Sequence, residues 1–261
     1  MHVGKGLSYT IVNFSPLITL DKKAVLLLSK EASVFYDQIL QSDTFVNKIL
    51  ITLDSPLIRI VSGFTLEVGC GTGRLMEKIR ERRHLLGVDI SINMLSVARR
   101  KGFEVVLADA ESLPFRSEIF DTIISGFGSL SCTDLMKTLE EIRRILRPGG
   151  KFGITLMNAR SLTCIICCIF FLNTKLISWI AKGIAYVDGK PVYLFYTPKK
   201  IEYLCNKCGL KIEEFRSALW FNVLIPDILL RKVLARIILK ISGKTYYKNF
   251  GFFLIILGRR M

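Results

Sequence analysis

Histidine is scarce in this sequence. His2 and His84 are the only two among 261 residues, which leaves little imidazole for proton transfer. Long apolar runs are missing as well, although hydrophobic residues make up 51% of the chain. A bilayer-spanning helix needs about 18 to 20 uninterrupted apolar residues. The strongest run, Leu162 to Leu172, falls short of that and is expected as a buried or interfacial helix. The N-terminus lacks the basic stretch, apolar run and small-residue cleavage site of an export signal. A cytoplasmic setting is therefore expected. The seven cysteines are expected as free thiols and not as a disulfide framework. No internal repeat or low-complexity segment is visible.

Acidic residues thin out along the chain. Residues 1–160 hold 21 Lys and Arg against 17 Asp and Glu, whereas residues 161–261 hold 16 against 5. The formal charge is +15. A basic, apolar C-terminal part suits an anionic partner such as a membrane surface, a nucleic acid or an acidic substrate, or is simply a solvated basic face. Two Cys-x-x-Cys pairs, Cys164 with Cys167 and Cys205 with Cys208, raise zinc. The first lies inside the apolar run and the second in a helical pattern, and the gap between them exceeds ribbon spacing. No metal site is expected.

Residues 1–60 are expected as an N-terminal helical segment, in which 21–60 read as helices with apolar positions at Val25, Leu28, Ala32, Phe35 and Ile39, then Phe45, Ile49 and Ile51. From Phe64 the pattern changes. Apolar strands are expected at Thr65 to Val68, Leu85 to Val88, Glu104 to Ala108, Asp121 to Ser125 and Phe152 to Met157, with helices between them. Asp134 reads as the cap of a helix that Pro148-Gly149-Gly150 follows, and Thr197-Pro198 opens another. Strands are also expected at Lys211 to Phe215 and Phe252 to Leu257. This alternation predicts an α/β domain over residues 61–261: a Rossmann-like, doubly wound and mostly parallel sheet. Residues 160–196 and 217–248 interrupt it and are expected as mostly helical cap insertions.

The chemistry concentrates at Leu66-Glu67-Val68-Gly69-Cys70-Gly71-Thr72-Gly73-Arg74. A strand runs into a glycine-rich turn and then a helix, so the backbone can approach a ligand closely. A nicotinamide loop would read G-x-G-x-x-G and open onto a pyrophosphate. Here the spacing is G-x-G-x-G, and Glu67 stands before it. That carboxylate would repel a pyrophosphate but suits a cationic amino group. Asp89 ends the second strand about 20 residues past the turn, where an acid can accept from two ribose hydroxyls. Asp109 ends the third, where a carboxylate can accept from an adenine amino group. All three acids fall at the carboxyl edge of the sheet, where open α/β folds bind ligands.

With LEVGCGTGR, GVDIS, LADAESLPF, FDTIIS and EIRRILRPGG, residues 66 to about 154 resemble the class I S-adenosylmethionine-dependent methyltransferases. The nearest branch includes the ubiquinone and menaquinone biosynthesis enzymes. The resemblance implies S-adenosylmethionine as cofactor and an antiparallel last strand. It implies that Glu67, Gly69, Gly71 and Gly73 hold the methionine part and that Asp89 holds the ribose. Ile90 and Met94 would flank the adenine, and Asp109 and Ala110 would read its edge. Ser125 would offer its carbonyl to the amino group, and Tyr36 would close over the cofactor from the N-terminal side. Relatives often carry a histidine shortly after the fourth strand; this chain has Ser129-Leu130-Ser131-Cys132 there. No catalytic base is assigned. Alignment for in-line attack on a sulfonium can supply much of the rate without one.

The two insertions follow strands whose carboxyl ends face the cofactor, so both are expected over the active site. Apolar residues dominate them, while Arg231, Lys232, Arg236 and Lys240 recur in the second. That composition suits a small lipophilic acceptor drawn from an anionic membrane surface. A nucleic-acid methyltransferase is disfavoured, because Ser125-Gly126-Phe127 is not the Asn/Asp-Pro-Pro-aromatic motif of amino-base methylation. The intact acids also weigh against a non-catalytic assembly factor.

Overall fold

β1 (Thr65–Val68) is buried at all four positions, with Leu66 and Val68 in the apolar core and Thr65 and Glu67 as buried polar residues. It opens a series with β2 (Leu85–Asp89), β3 (Val105–Leu107), β4 (Phe120–Ser125) and β5 (Leu146–Met157). The computed structural model describes residues 20–30, 33, 44–81, 84–161, 183–187, 190–218 and 251–261. Its main sheet has seven strands, in the order β3-β2-β1-β4-β5-β9-β8, where β8 is Leu210–Ala218 and β9 is Phe253–Arg260. The first five pair in parallel. β9 is antiparallel to both β5 and β8, so β8 runs with the first five. The expected Rossmann-like, mostly parallel sheet with an antiparallel last strand is the observed one. Strand order reverses beside β1, and the crevice at such a switch point is where open α/β sheets take ligands.

Helices cover both faces. α1 (Thr44–Ile60) turns Leu50, Leu53 and Leu57 onto Ile255 and Leu257 of β9, while Ile51 of the expected stripe is 52% exposed. α2 (Arg74–Lys78) and α3 (Ile92–Arg100) share that face through Leu75, Met76 and Leu95. α4 (Leu135–Ile145) and α5 (Pro198–Lys207) pack on the other face. In α4, Leu135, Leu139 and Ile142 lie at helical spacing against β4 and β5. Its cap is Asp134, whose carboxylate accepts from the Met136 and Lys137 amides. Thr197 caps α5, with Pro198 in the first turn. Cys205 and Cys208 are core residues of that second face.

The described part of the first insertion departs from expectation. β6 (Ile184–Val187) and β7 (Lys190–Leu194) pair antiparallel as a two-stranded hairpin and not as helix. Its alternating β-branched and aromatic residues favour a pleated surface over a helical one. β8 also runs on to Ala218, two residues into the second expected insertion. Residues 162–182 and 219–250, with Cys164, Cys167 and the four basic residues of that insertion, lie outside the described residues. So does Tyr36. His84 stands at the amino end of β2, where its carbonyl accepts from the Thr65 amide, on the edge opposite the ligand crevice.

Candidate active site

The glycine loop is tied to the end of β2. The amides of Gly69 and Cys70 donate to the Val88 carbonyl at 2.7 and 3.0 Å, and the Gly71 amide donates to Asp89 Oδ2 at 2.9 Å. Gly69 and Gly71 have φ of 72° and 55°, in the left-handed region. A Cβ on Gly69 would lie 2.5 Å from Ser129 Oγ, whereas one on Gly71 would meet nothing within 4 Å. Gly71 therefore leaves its open side to a cavity of about 480 Å³ at the carboxyl edge of the sheet. Its wall includes Glu67, Gly69, Gly71, Asp89, Ile90, Met94, Asp109 and Ala110, eight of the residues expected at the cofactor.

Two others are placed elsewhere. Gly73 is not on the cavity wall; a Cβ there would come within 2.7 Å of the Phe103 ring. Its lack of a side chain serves helix packing. Ser125 is fully buried and also off the wall, with its hydroxyl paired to Ser129 Oγ at 2.8 Å. β4 carries the backbone one residue further before it opens, so Gly126, Phe127 and Gly128 line the cavity instead.

The three acids sit in different electrostatic settings. Glu67 is 3% exposed, and its Oε2 has no hydrogen-bond partner. Burial pushes its pKa well up, against the pull of Arg74. Burial also raises Asp89, but its carboxylate accepts from the amides of Gly71 and Ser91, which favour the charged form. Each oxygen keeps a lone pair for a ligand hydroxyl. Asp109 is more open. Its Oδ1 accepts from the Glu111 amide at 3.0 Å, and its Oδ2 accepts from the Lys22 ammonium. Lys22 also pairs with Glu111 at 3.0 Å.

Several wall residues were not expected. Lys22, Val25, Leu28 and Ser29 come from the helical segment 22–30, which lies along the Asp109 side. That segment is fixed at its start by Asp21, whose amide donates to the Pro191 carbonyl of the hairpin at 2.9 Å. Pairings across 87 residues, as between Lys22 and Asp109, leave no local signal in a sequence. Arg74 lines the opposite end. Among the described residues the rest of the wall is uncharged and includes Phe127, Leu130, Cys132, Thr133, Met157, Tyr193 and Phe253. Burial, with the charge of Asp89, pushes the Cys132 thiol well up, so it stands there as a neutral group.

These residues fit S-adenosylmethionine. The orphaned, buried Glu67 Oε2 calls for a cation, and the α-ammonium of the methionine part is one. Gly71 leaves an open side against which a backbone-hugging ligand can lie, and Asp89 has acceptor capacity for two ribose hydroxyls.

Relatives and neighbours agree. A family model described as a methyltransferase domain matches residues 66–154. An uncharacterised protein of Methanocaldococcus jannaschii is 32% identical over 192 residues, covering 68% of this chain and 75% of its own length. A demethylmenaquinone methyltransferase of Oceanobacillus iheyensis is 38% identical over 97 residues, or 33% of this chain. The match spans 41% of that enzyme's length. Among solved structures, a methyltransferase of Thermotoga maritima superposes with a TM-score of 0.63 at 20% identity, covering 90% of this chain and 99% of that one. Glycine loop, acids, sheet order and relatives converge: the chain belongs to the class I methyltransferases, enzymes whose methyl donor is S-adenosylmethionine.

Proposed function

We propose that this methyltransferase acts on a small lipophilic acceptor, by in-line transfer of the methyl group. The observation that carries this reading is the uncharged remainder of the cavity wall. Among the described residues, the charged ones on the wall fall where the cofactor's polar parts are expected: Glu67 and Arg74 at one end, Asp89, Asp109 and Lys22 toward the other. What is left, with Phe127, Leu130, Met157 and Phe253, suits an apolar ring or chain. The similarity to demethylmenaquinone methyltransferases supports a ring of that kind.

The sulfonium supplies an electrophilic methyl and a neutral leaving group. The chain's part is then to bind, orient and exclude water. Glu67 and Asp89 fix the donor's two halves, and the aromatic pair Phe127 and Phe253, with centroids 5.4 Å apart, forms part of the acceptor wall. Ser129, Cys132, Thr133 and Tyr193 are the polar groups on that side. A basic C-terminal part supports docking on an anionic leaflet, where each Lys or Arg contributes about 1 kcal/mol. No helix among the described residues is long and apolar enough to cross a membrane.

The test uses methyl-labelled cofactor with a demethylated naphthoquinol, a polar catechol and RNA as acceptors. Label in the extracted quinol, and not in the other two, is expected. Label in RNA alone would replace this reading with the nucleic-acid one. Sedimentation with anionic and neutral vesicles checks docking: salt-sensitive binding to the anionic ones alone is expected, weakened by R231E with R236E.

A further inference from the structure

We propose that Arg74 binds the α-carboxylate of S-adenosylmethionine, and that Asp54 of α1 is the positioning residue that holds Arg74 ready for it. The inference is independent of the acceptor.

Arg74 follows the glycine loop directly, as the first residue of α2, and its guanidinium lines the methionine end of the cavity. Asp54 reaches it from α1. Nη1 and Nη2 both donate to that carboxylate, the second at 3.0 Å. Asp54 is 1% exposed and also accepts from Lys78 Nζ at 2.7 Å. Two cations thus share this buried acid beside the cavity. Glu67 is the neighbouring acid. A Cβ placed on Gly126 would lie 3.8 Å from Arg74 Nη2 and 3.8 Å from Glu67 Oε1. Guanidinium and carboxylate therefore flank the same stretch of bare backbone.

That arrangement complements an amino-acid zwitterion, whose ammonium and carboxylate leave one carbon. It also explains an otherwise costly feature. Glu67 Oε2 is buried and unpartnered although a guanidinium stands close by. Left to itself, Arg74 would close on Glu67, and the two charges would quench each other. The two-pronged grip of Asp54 fixes the guanidinium plane and prevents the collapse. The Phe127 ring, 5.7 Å from the guanidinium carbon, bounds it on another side. Both poles are then kept apart and pre-organised before the ligand arrives.

Calorimetry with three ligands tests this: S-adenosylhomocysteine, decarboxylated S-adenosylhomocysteine, which differs from it only in the carboxylate, and 5′-methylthioadenosine, which lacks the amino-acid part. The wild-type protein should favour S-adenosylhomocysteine over the decarboxylated ligand by about thirtyfold, the worth of a charge-assisted pair. In R74M that preference should fall to within about threefold, with 5′-methylthioadenosine binding unchanged and R74K intermediate. D54N should lose about tenfold for S-adenosylhomocysteine, and its affinity should stop depending on pH because Arg74 then keeps Glu67 ionised. Retained 5′-methylthioadenosine binding shows that a variant is folded; if R74M lacks it, R74K carries the test. Preference for the carboxylate undiminished in a folded Arg74 variant would overturn the proposal. So would D54N with wild-type affinity and pH dependence. Failure of the wild-type protein to bind S-adenosylhomocysteine would instead strike at the cofactor assignment itself.

Discussion

The two ends of the cofactor cavity handle negative charge in opposite ways. At the end proposed for the methionine part Glu67 is 3% exposed and one of its oxygens has no partner. At the end proposed for the adenine the Asp109 side chain is 30% exposed and already pairs with Lys22. A desolvated acid without a full complement of hydrogen bonds is costly in the ligand-free fold, and that cost is returned when a cation arrives. A solvated, paired acid costs little and gains little. Affinity should therefore be set at one end and adjusted at the other.

The strongest way to break this contrast is Glu67→Gln. Cofactor affinity should drop by about 3 kcal/mol, the scale of a buried hydrogen bond to a charged group. At a pH above the raised pKa of Glu67, the ligand-free protein should meanwhile melt at a higher temperature, because a buried carboxylate has been neutralised. Calorimetry and thermal unfolding read the two effects, and a variant that loses stability along with affinity would show Glu67 to be structural. Asp89→Ala comes next, at about 1 to 3 kcal/mol of affinity. It should also loosen the loop, since the Gly71 and Ser91 amides lose their acceptor.

The pH dependence sharpens the comparison further. Burial raises Glu67 in the ligand-free fold, so the folded protein holds its proton to higher pH than the unfolded chain. Its contribution to stability is fully present below the ordinary glutamate range and is lost as pH rises through the raised value. Cofactor binding should run the other way, releasing a proton and tightening as pH rises through that same value. Titrations in buffers of different ionisation enthalpy measure the released proton. The smallest effect belongs to Lys22→Met. Because Lys22 is 39% exposed, the loss should stay below about 1 kcal/mol and vanish in high salt. A larger, salt-independent loss would mean that the adenine end is as tightly built as the other.

The fold was largely legible, for physical reasons. Residues 66 to 154 alternate short apolar strands with capped helices, and local pattern alone fixes such units. Asp134 and Thr197 cap as expected because a cap is a contact within four residues. Long-range pairs were not legible: Lys22 with Asp109, or Asp54 with Arg74. The hairpin is a different case. Apolar content drew residues 183–196 toward helix, yet Asp188-Gly189 between two β-prone runs is a strong hairpin signal. Ser125 and Gly73 fall off the cavity wall by the resolution of a motif. A motif tells which turn approaches the ligand, but the strand's exit angle decides whether residue 125 or 126 reaches it.

The position of β9 sets a timetable for assembly. It follows β8 in the chain and yet lies between β5 and β8 in the sheet. Until residues 253–260 emerge from the ribosome, β5 must wait with an open edge, and β8 has no place to dock. An unpaired apolar edge of that kind invites pairing with another chain. Closure also locks Arg260, whose guanidinium bonds to the Leu146 carbonyl at the start of β5 and to Glu118 just before β4. A chain not yet extended past β8 therefore carries a finished cofactor loop on an unfinished sheet, and the step that protects it from aggregation is the insertion of β9.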